Sequence, residues 1–582
     1  MEKNTVIAIV LSSLVIIGAF TVQSILFPPE PFPGNLPAEP AQAASVPVNE
    51  TAPVTAELPG FVVQDAPATV SDTGLREERR VIETDLLRVE FTNRGGDIIS
   101  YQLKDHSNGG RFIEMADNVT ERNRAFSIQL GDAEGFPLDQ LFHIHEISPN
   151  AIGFYRETTV KNSDGTTSTF TLAKQYTFYP GDYMFKLDVI IDGKENMNGL
   201  QFNQAAYTIR TSPQIGPEWH PGQDRYEYRK FFHQANGKKR TNNLKENQTK
   251  VIQEKMAWAG VAGKYFTLVA LPEAPVANAF FTTRTAADGR NTAQMFLTRN
   301  AFTGSRITDT WRFYLGPRTE KQLNRYNIAM NNAHGLSETG IDGVLESSGI
   351  LGPLEILLKW LMELFYSVIP NWGVSIILLT ILMRLVLFPL TKKSSESTLK
   401  MQELQPKIKE IQDKYKGNPQ KMNEEMAKFY QTAGYNPLSG CLPLLIQFPL
   451  IFAMYNLFNN YFEFRGAMFI PGWIPDLSQG DSVMLLPFTV PFVGWTDLRL
   501  LPVIYVISQL IFGKVTQTPA AAQSNASMKM MMYGMPLFFF FMFYNAPSGL
   551  LLYWTFSNLL TMVQQIIINK MMHSKKQALK KA

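Results

Sequence analysis

From Trp372 to Leu390 the chain reads Trp-Gly-Val-Ser-Ile-Ile-Leu-Leu-Thr-Ile-Leu-Met-Arg-Leu-Val-Leu-Phe-Pro-Leu, nineteen residues with a single charge, Arg384. A run of that length can cross a bilayer, and as a helix it satisfies its own backbone hydrogen bonds there. An arginine at that depth costs about 2.5–3.5 kcal/mol even on insertion-based scales. No apolar segment of this chain carries an Asp or Glu that could pair with it. The pattern therefore favours water as the offset, in a hydrated cavity within the membrane part of the protein. The alternative is snorkelling to the headgroups, because Arg384 stands six residues before Leu390.

The other apolar residues are segregated in the same way along the 582 residues. A first span, Val6–Phe27, exceeds the apolar core of a signal peptide, and Ala41-Gln-Ala43 lies far downstream, so residues 1–27 read as an uncleaved anchor. No Lys or Arg occurs between Lys3 and Arg76, whereas Glu30, Glu39, Glu50, Glu57 and Asp65 follow the span. The positive-inside rule then places the N-terminus in the cytoplasm. Further spans are expected at about 372–390, 437–458, 500–512, 530–544 and 549–568. The loop Thr391–Ala433 has nine Lys against six acids, Gly513–Met532 has Lys514 and Lys529 with no acid, and the tail 571–582 is basic. The opposite loop, Asn459–Arg499, has two Arg against four acids. All basic segments thus fall on one side, with both termini, as six spans require. The spans at 500–512 and 530–544 are shorter than the roughly 20 residues a bilayer core needs, which calls for a thinned membrane or shielding by neighbours.

Between the spans the chain changes character. Residues 28–75 form a Pro/Ala-rich linker, with ten prolines in 28–70. Residues 76–345 hold many strand-like runs. In one of them Phe170, Leu172, Tyr176 and Phe178 share a face that only Lys174 interrupts. The density of strands predicts one large antiparallel sandwich. The pair His143 and His145 lacks a third metal ligand, and Cys441, the only cysteine, reads as a small buried hydrophobe. Residues 346–370 predict an amphipathic helix in the membrane interface, with Glu355, Lys359 and Glu363 as one charged stripe. Within 392–433, Leu404, Ile408, Ile411 and Tyr415 recur at 4-3-4 spacing, Gly417-Asn-Pro419 breaks the chain, and Met422, Met426 and Phe429 follow. This predicts a cytoplasmic helical hairpin, either a docking device or a charged spacer, with Pro406 in the first turn or at a kink. Asn436-Pro437 should cap the third span, which Pro443 and Pro449 loosen. Polar residues, among them Thr380, Gln447, Ser557 and Gln564, recur in the spans. Thr380 shares a helix face with Arg384, so a groove lined by Arg384, Thr380 and a few amides is expected. Phe448, Phe452, Phe538 and Phe541 are expected to face lipid or a guest helix.

Several collinear stretches resemble the YidC/Oxa membrane protein insertases, in the form with a large periplasmic domain found in Gram-negative bacteria. They are Asn371 through Arg384, Pro389-Leu-Thr-Lys392, Leu404-Gln-Pro-Lys-Ile408, Asn436 through Pro449, and Pro547-Ser-Gly-Leu-Leu-Leu-Tyr-Trp554. The outer region matches through Thr84-Asp85, Arg94-Gly-Gly-Asp97, Trp258, Tyr265-Phe266 and Gly316-Pro317. The resemblance implies a polytopic α-helical membrane protein, with a five-helix insertase core in 371–570 after the first anchor, and an all-β periplasmic supersandwich. It implies a groove open to cytoplasm and lipid, lined by Arg384, Thr380, Gln447 and Trp554, where relatives usually have tyrosine at the last position. Phe448, Phe452, Phe538 and Phe541 would form the slide for an apolar guest segment, and Leu404, Ile408, Ile411 and Tyr415 the capture surface of the hairpin. The implied partners are nascent membrane proteins, the bilayer and the Sec translocon, with weak ribosome contact through the short tail. No cofactor, metal, nucleotide or nucleic acid is implied, and no enzymatic activity.

Two other classes compete. A secondary transporter of an organic anion would use Arg384 as counter-ion, but no duplicated halves with paired broken helices are visible. A membrane-anchored glycan enzyme would need a carboxylate pair that the outer region does not display.

Overall fold

A computed structural model describes residues 74–581, apart from 109, 134, 162–166, 194–199, 220–225, 277, 287–288, 346–348, 435–441, 492 and 517–525. The expected anchor at 1–27, nearly all of the linker, Cys441 and the Asn436-Pro437 cap lie outside these residues.

From Arg79 to Pro317 the chain builds sheets of four, five and nine strands, and every ladder is antiparallel. The alternating segment predicted above is the strand Thr167–Thr177, paired on one side with Ala151–Lys161 and on the other with Met184–Asp192. Phe170, Leu172 and Tyr176 on that strand, with Phe178 just beyond it, enter one core shared by the three sheets. Lys174 does not interrupt that face; it is fully buried on it. Its ammonium donates to Asp97 Oδ1 at 2.5 Å and to the Phe126 carbonyl at 2.8 Å, while Arg124 Nε donates to Asp97 Oδ2 at 2.9 Å. A buried charge is tolerable only when paired and hydrogen-bonded in this way.

After Pro317 the chain runs back over the sheets. Arg318 clamps it by donating from Nε and Nη2 to the Val344 carbonyl at 2.9 and 2.6 Å, and Ile341 and Val344 are buried in the β core. The helical region follows as α1 (Gly352–Val368), α2 (Trp372–Val386), α3 (Phe388–Lys414), α4 (Pro419–Thr432), α5 (Leu442–Asn460), α6 (Leu501–Thr516), α7 (Ala526–Phe543) and α8 (Ser548–Lys581). The last is the hub: it packs against α2, α3, α5 and α6, while α1 packs on α2 and α5, and α7 on α6. Among the described residues Ser548–Met572 is long and apolar enough to cross a membrane alone. Trp372–Val386 with Phe388–Ser397 passes only as a pair, bent by 55°.

The bend falls at Leu387, three residues before the expected end of that span. Pro389, in the first turn of α3, has no N–H to donate back to α2, which accounts for the interruption. The first arm of the hairpin therefore starts at Phe388. Pro406 lies in the interior of α3 rather than in a first turn. Asn418 caps α4, accepting from the Lys421 amide at 3.1 Å, with Pro419 at the start.

The charged stripe of α1 is tied to the protein along one side, with Glu355 and Lys359 half-buried and Glu363 left exposed. Asn456 Nδ2 donates to Glu355 at 3.2 Å, the Tyr461 hydroxyl donates to Glu363 at 3.1 Å, and Lys359 sits 3.7 Å from Glu320. Ile356, Trp360, Leu364 and Val368 are exposed as well. An apolar helix face turned outward is a surface suited to lipid.

The β region and the helices meet through the segment after α5. Phe462 packs edge-on against His106, Tyr265 and Phe266, and Arg465 donates to the Ser107 carbonyl at 2.6 Å. Lys264, at the same junction, lies over the Tyr265 ring at 4.7 Å. Burial pulls its pKa down to about 8 against the pull of Glu227.

Candidate functional site

Arg384 is carried near the C-terminal end of α2, a helix that Asn371 starts by accepting from the Val374 amide at 3.1 Å. Thr380, one turn before it, is buried and spends its hydroxyl on the Ile376 carbonyl at 2.7 Å. The Arg384 side chain is half-buried and donates to the Ser557 hydroxyl of α8. Among the described residues no carboxylate forms an ion pair with it. Among those residues its hydrogen-bond partner is the neutral Ser557 hydroxyl, a weak offset that leaves the guanidinium able to bind an anion.

A second tie comes from the backbone. Gln564 Nε2 donates to the Arg384 carbonyl at 2.8 Å, one turn before the α2–α3 bend. At such a break carbonyls lose their helical donors, and in low dielectric each needs another. Ser557, Thr561 and Gln564 follow each other at 4-3 spacing on α8, hence on one face. That spacing was visible in the sequence and is the signal for Ser557 and Gln564 as companions of Arg384. Two buried polar atoms of α8, Thr555 Oγ1 and Gln564 Oε1, have no protein partner.

Trp554 sits on a different side of α8. It packs against Phe543 of α7 at 4.5 Å and Tyr505 of α6 at 6.0 Å. Beside it lies a second polar cluster, in which Asn558 Nδ2 donates to Ser508 Oγ at 3.2 Å and Gln509 Nε2 to the Tyr505 hydroxyl at 3.0 Å. The structure thus joins Arg384 to Ser557 and Gln564, leaves Thr380 bonded within its own helix, and sets Trp554 toward α6 and α7. Gln447 lies in α5, but its side chain is outside the described residues.

The four phenylalanines expected as a slide are all exposed, Phe448 and Phe452 stacked along α5, and Phe538 and Phe541 on α7. In the hairpin, Ile408 is buried and Leu404, Ile411 and Tyr415 are half-buried, facing a partner arm where Met422, Met426 and Phe429 are also half-buried. The predicted seam is therefore the contact between α3 and α4. It leaves a largely charged outer surface.

In the β region a cavity of about 1300 Å³ lies over the five-stranded sheet, lined by Phe280, Phe296, Arg210 and Gln294 among others, and takes no residue from the helices. His143 and His145 are exposed, and among the described residues no group of three His, Cys, Asp or Glu could hold a metal.

Two family models match the chain: "60Kd inner membrane protein" over residues 364–576, and "YidC periplasmic domain" over 79–341. The chain is 53% identical to a membrane protein insertase YidC of Treponema denticola, covering 98% of this chain and 100% of that one. It is 44% identical to the protein of the same name from Treponema pallidum, covering 98% and 99%. Among solved structures, the crystal structure of an active YidC insertase with its first transmembrane domain resolved matches with a TM-score of 0.34 at 20% identity. That match covers 84% of this chain and 92% of the other.

Proposed function

This chain belongs to the YidC family of membrane protein insertases, and on that premise we propose that it inserts apolar segments through a hydrated groove centred on Arg384. It is a membrane protein insertase of the bacterial inner membrane with a periplasmic β domain, and its substrates are membrane proteins moving into lipid.

The proposal adds the route. Six spans, the first at 1–27, place both termini in the cytoplasm, with 28–75 as linker, 76–345 as the periplasmic domain, 346–370 at the interface and 371–570 as the core. The α3–α4 hairpin, 392–433, receives the nascent segment, and the tail 571–582 contacts the ribosome weakly. Arg384 attracts the polar or acidic flank, and the guest's apolar segment passes into lipid along Phe448, Phe452, Phe538 and Phe541. The protein works alone or beside the Sec translocon, with no cofactor.

The observation that carries this reading is Arg384, half-buried among membrane helices with the neutral Ser557 as its side-chain partner. The energetics agree: moving about 20 apolar residues into lipid is downhill, so the catalyst needs only to lower the barrier for the polar flank. The test is insertion of a single-span guest with an acidic tail into liposomes holding only this protein, read by protease protection of the tail. Protection above empty liposomes, without nucleotide, is expected; none would reject autonomous insertion.

A further inference from the structure

The segment between α5 and α6 contains fifteen consecutive residues, Ser482 to Thr496, without one charge. The described residues among them form a hairpin. Met484–Leu485 pairs with Asp497–Leu498, the Leu486 amide donates to the Thr496 carbonyl at 2.9 Å, and the Val490 amide to the Trp495 carbonyl at 2.8 Å. The hairpin thereby satisfies much of its own backbone, a condition for entering a low-dielectric medium. Its apolar side chains point outward: Leu485 is 78% and Phe488 61% exposed, with Val483, Met484 and Val493 exposed beside them.

The charges are confined to the base. Asp481 is buried and accepts from the Leu500 and Leu501 amides at 2.8 Å each and from Trp473 Nε1 at 3.0 Å, and Arg499 pairs with Asp497 at 2.9 Å. From that base Trp495 stacks on Tyr544 at 3.6 Å and lies 5.7 Å from Phe541 of α7. The outer surface of the hairpin therefore continues the exposed apolar surface of Phe538 and Phe541.

We propose that this hairpin is seated in the outer leaflet of the bilayer, with lipid as its partner. The side follows from the same segment, whose Arg465 and Phe462 hold the periplasmic β region. Length gives the reason. The apolar part of α6, Leu501–Gly513, is thirteen residues, which as helix spans about 20 Å, whereas the hydrocarbon core is about 30 Å thick. Three or four residues of extended hairpin add about 10 Å and complete the lipid-facing height of the two short helices α6 and α7. Tryptophan and tyrosine at the base suit the headgroup level. A charge-free tip offers a protein partner nothing to fix its orientation, but it suits acyl chains. This inference rests on the membrane reading of the helices.

The experiment places a single cysteine at Leu485 or at Phe488 in a Cys441→Ser chain, labels it with an environment-sensitive fluorophore, and reconstitutes the whole protein in vesicles. Labels at Val563→Cys, on the exposed apolar face of α8, and at Lys238→Cys, on the exposed β region, serve as references. Lipids brominated near the headgroup end of the chain should quench both hairpin labels. Aqueous iodide should quench them several-fold less than the Lys238 label. Iodide quenching equal to Lys238 overturns the inference, and so does protection from iodide without quenching by lipid, which would mean burial against protein. If Val563 is quenched by lipid and the hairpin is not, only this inference falls. If neither is quenched, the membrane reading of the helices falls with it.

Discussion

Replacing Arg384 by alanine removes the single charge of α2 while leaving its helix, its N-cap and the Gln564 tie to its backbone carbonyl in place. The side-chain interaction lost is a hydrogen bond to a neutral serine, so the fold should survive. What changes is the attraction for a guest carboxylate. At contact distance two unit charges gain about 1 kcal/mol in water and about 4 kcal/mol at the effective dielectric near a protein surface. A half-buried guanidinium falls between these limits, so about 1.5–3 kcal/mol is expected, or a roughly 10- to 150-fold slower insertion step. Guests with neutral flanks should slow by much less. The assay is protease protection over time in liposomes for two guests that differ only in flank charge. Arg384→Lys should retain most of the acidic-guest rate, since it keeps the charge and loses the fork. Equal slowing of both guests by Arg384→Ala would refute the electrostatic role.

Three further outcomes follow from the same structure. Gln564→Leu leaves the Arg384 carbonyl without its side-chain donor beside the α2–α3 bend, which should cost about 1–3 kcal/mol, seen as lowered thermal stability in detergent. Lys174→Met leaves Asp97 buried with Arg124 alone, and should destabilise the β region by about 3–5 kcal/mol in denaturant titration followed by tryptophan fluorescence. Lys264 titrates near 8 in the folded protein, so between about pH 8 and its ordinary value the unfolded chain holds more protons and stability rises with pH. Lys264→Met should therefore stabilise the protein at pH 7 by up to about 3 kcal/mol, and that advantage should fade as pH climbs through 8 to 10, as read by thermal unfolding at each pH.

Local patterns carried much of this fold. Period-2 alternation marked the strand Thr167–Thr177 because one face of an antiparallel sheet must be dry. The break at Gly417-Asn-Pro419 was readable because asparagine and proline act within their own turn. Lys174 looked like a flaw in its strand since Asp97 and Arg124 lie far away in the chain and supply the pairing only once the sheets pack. The stripe Glu355, Lys359 and Glu363 was legible as a stripe, but its direction was not. Tertiary packing brings Asn456 and Tyr461 onto it and turns the apolar side of α1 outward.

The same division runs through the site. Composition alone determined that Arg384 is a costly charge in an apolar helix and that Thr380 shares its face, because both follow from spacing on one helix and from the desolvation of a cation. Only the tertiary structure decided what meets that charge. Ser557 and Gln564 lie more than one hundred and seventy positions further on, and no local rule links them to Arg384. The rotation of α8 turns them toward Arg384 and Trp554 toward α6 and α7. A hydrogen bond depends on distance in space, which the chain acquires only when α8 packs as the hub of the helices.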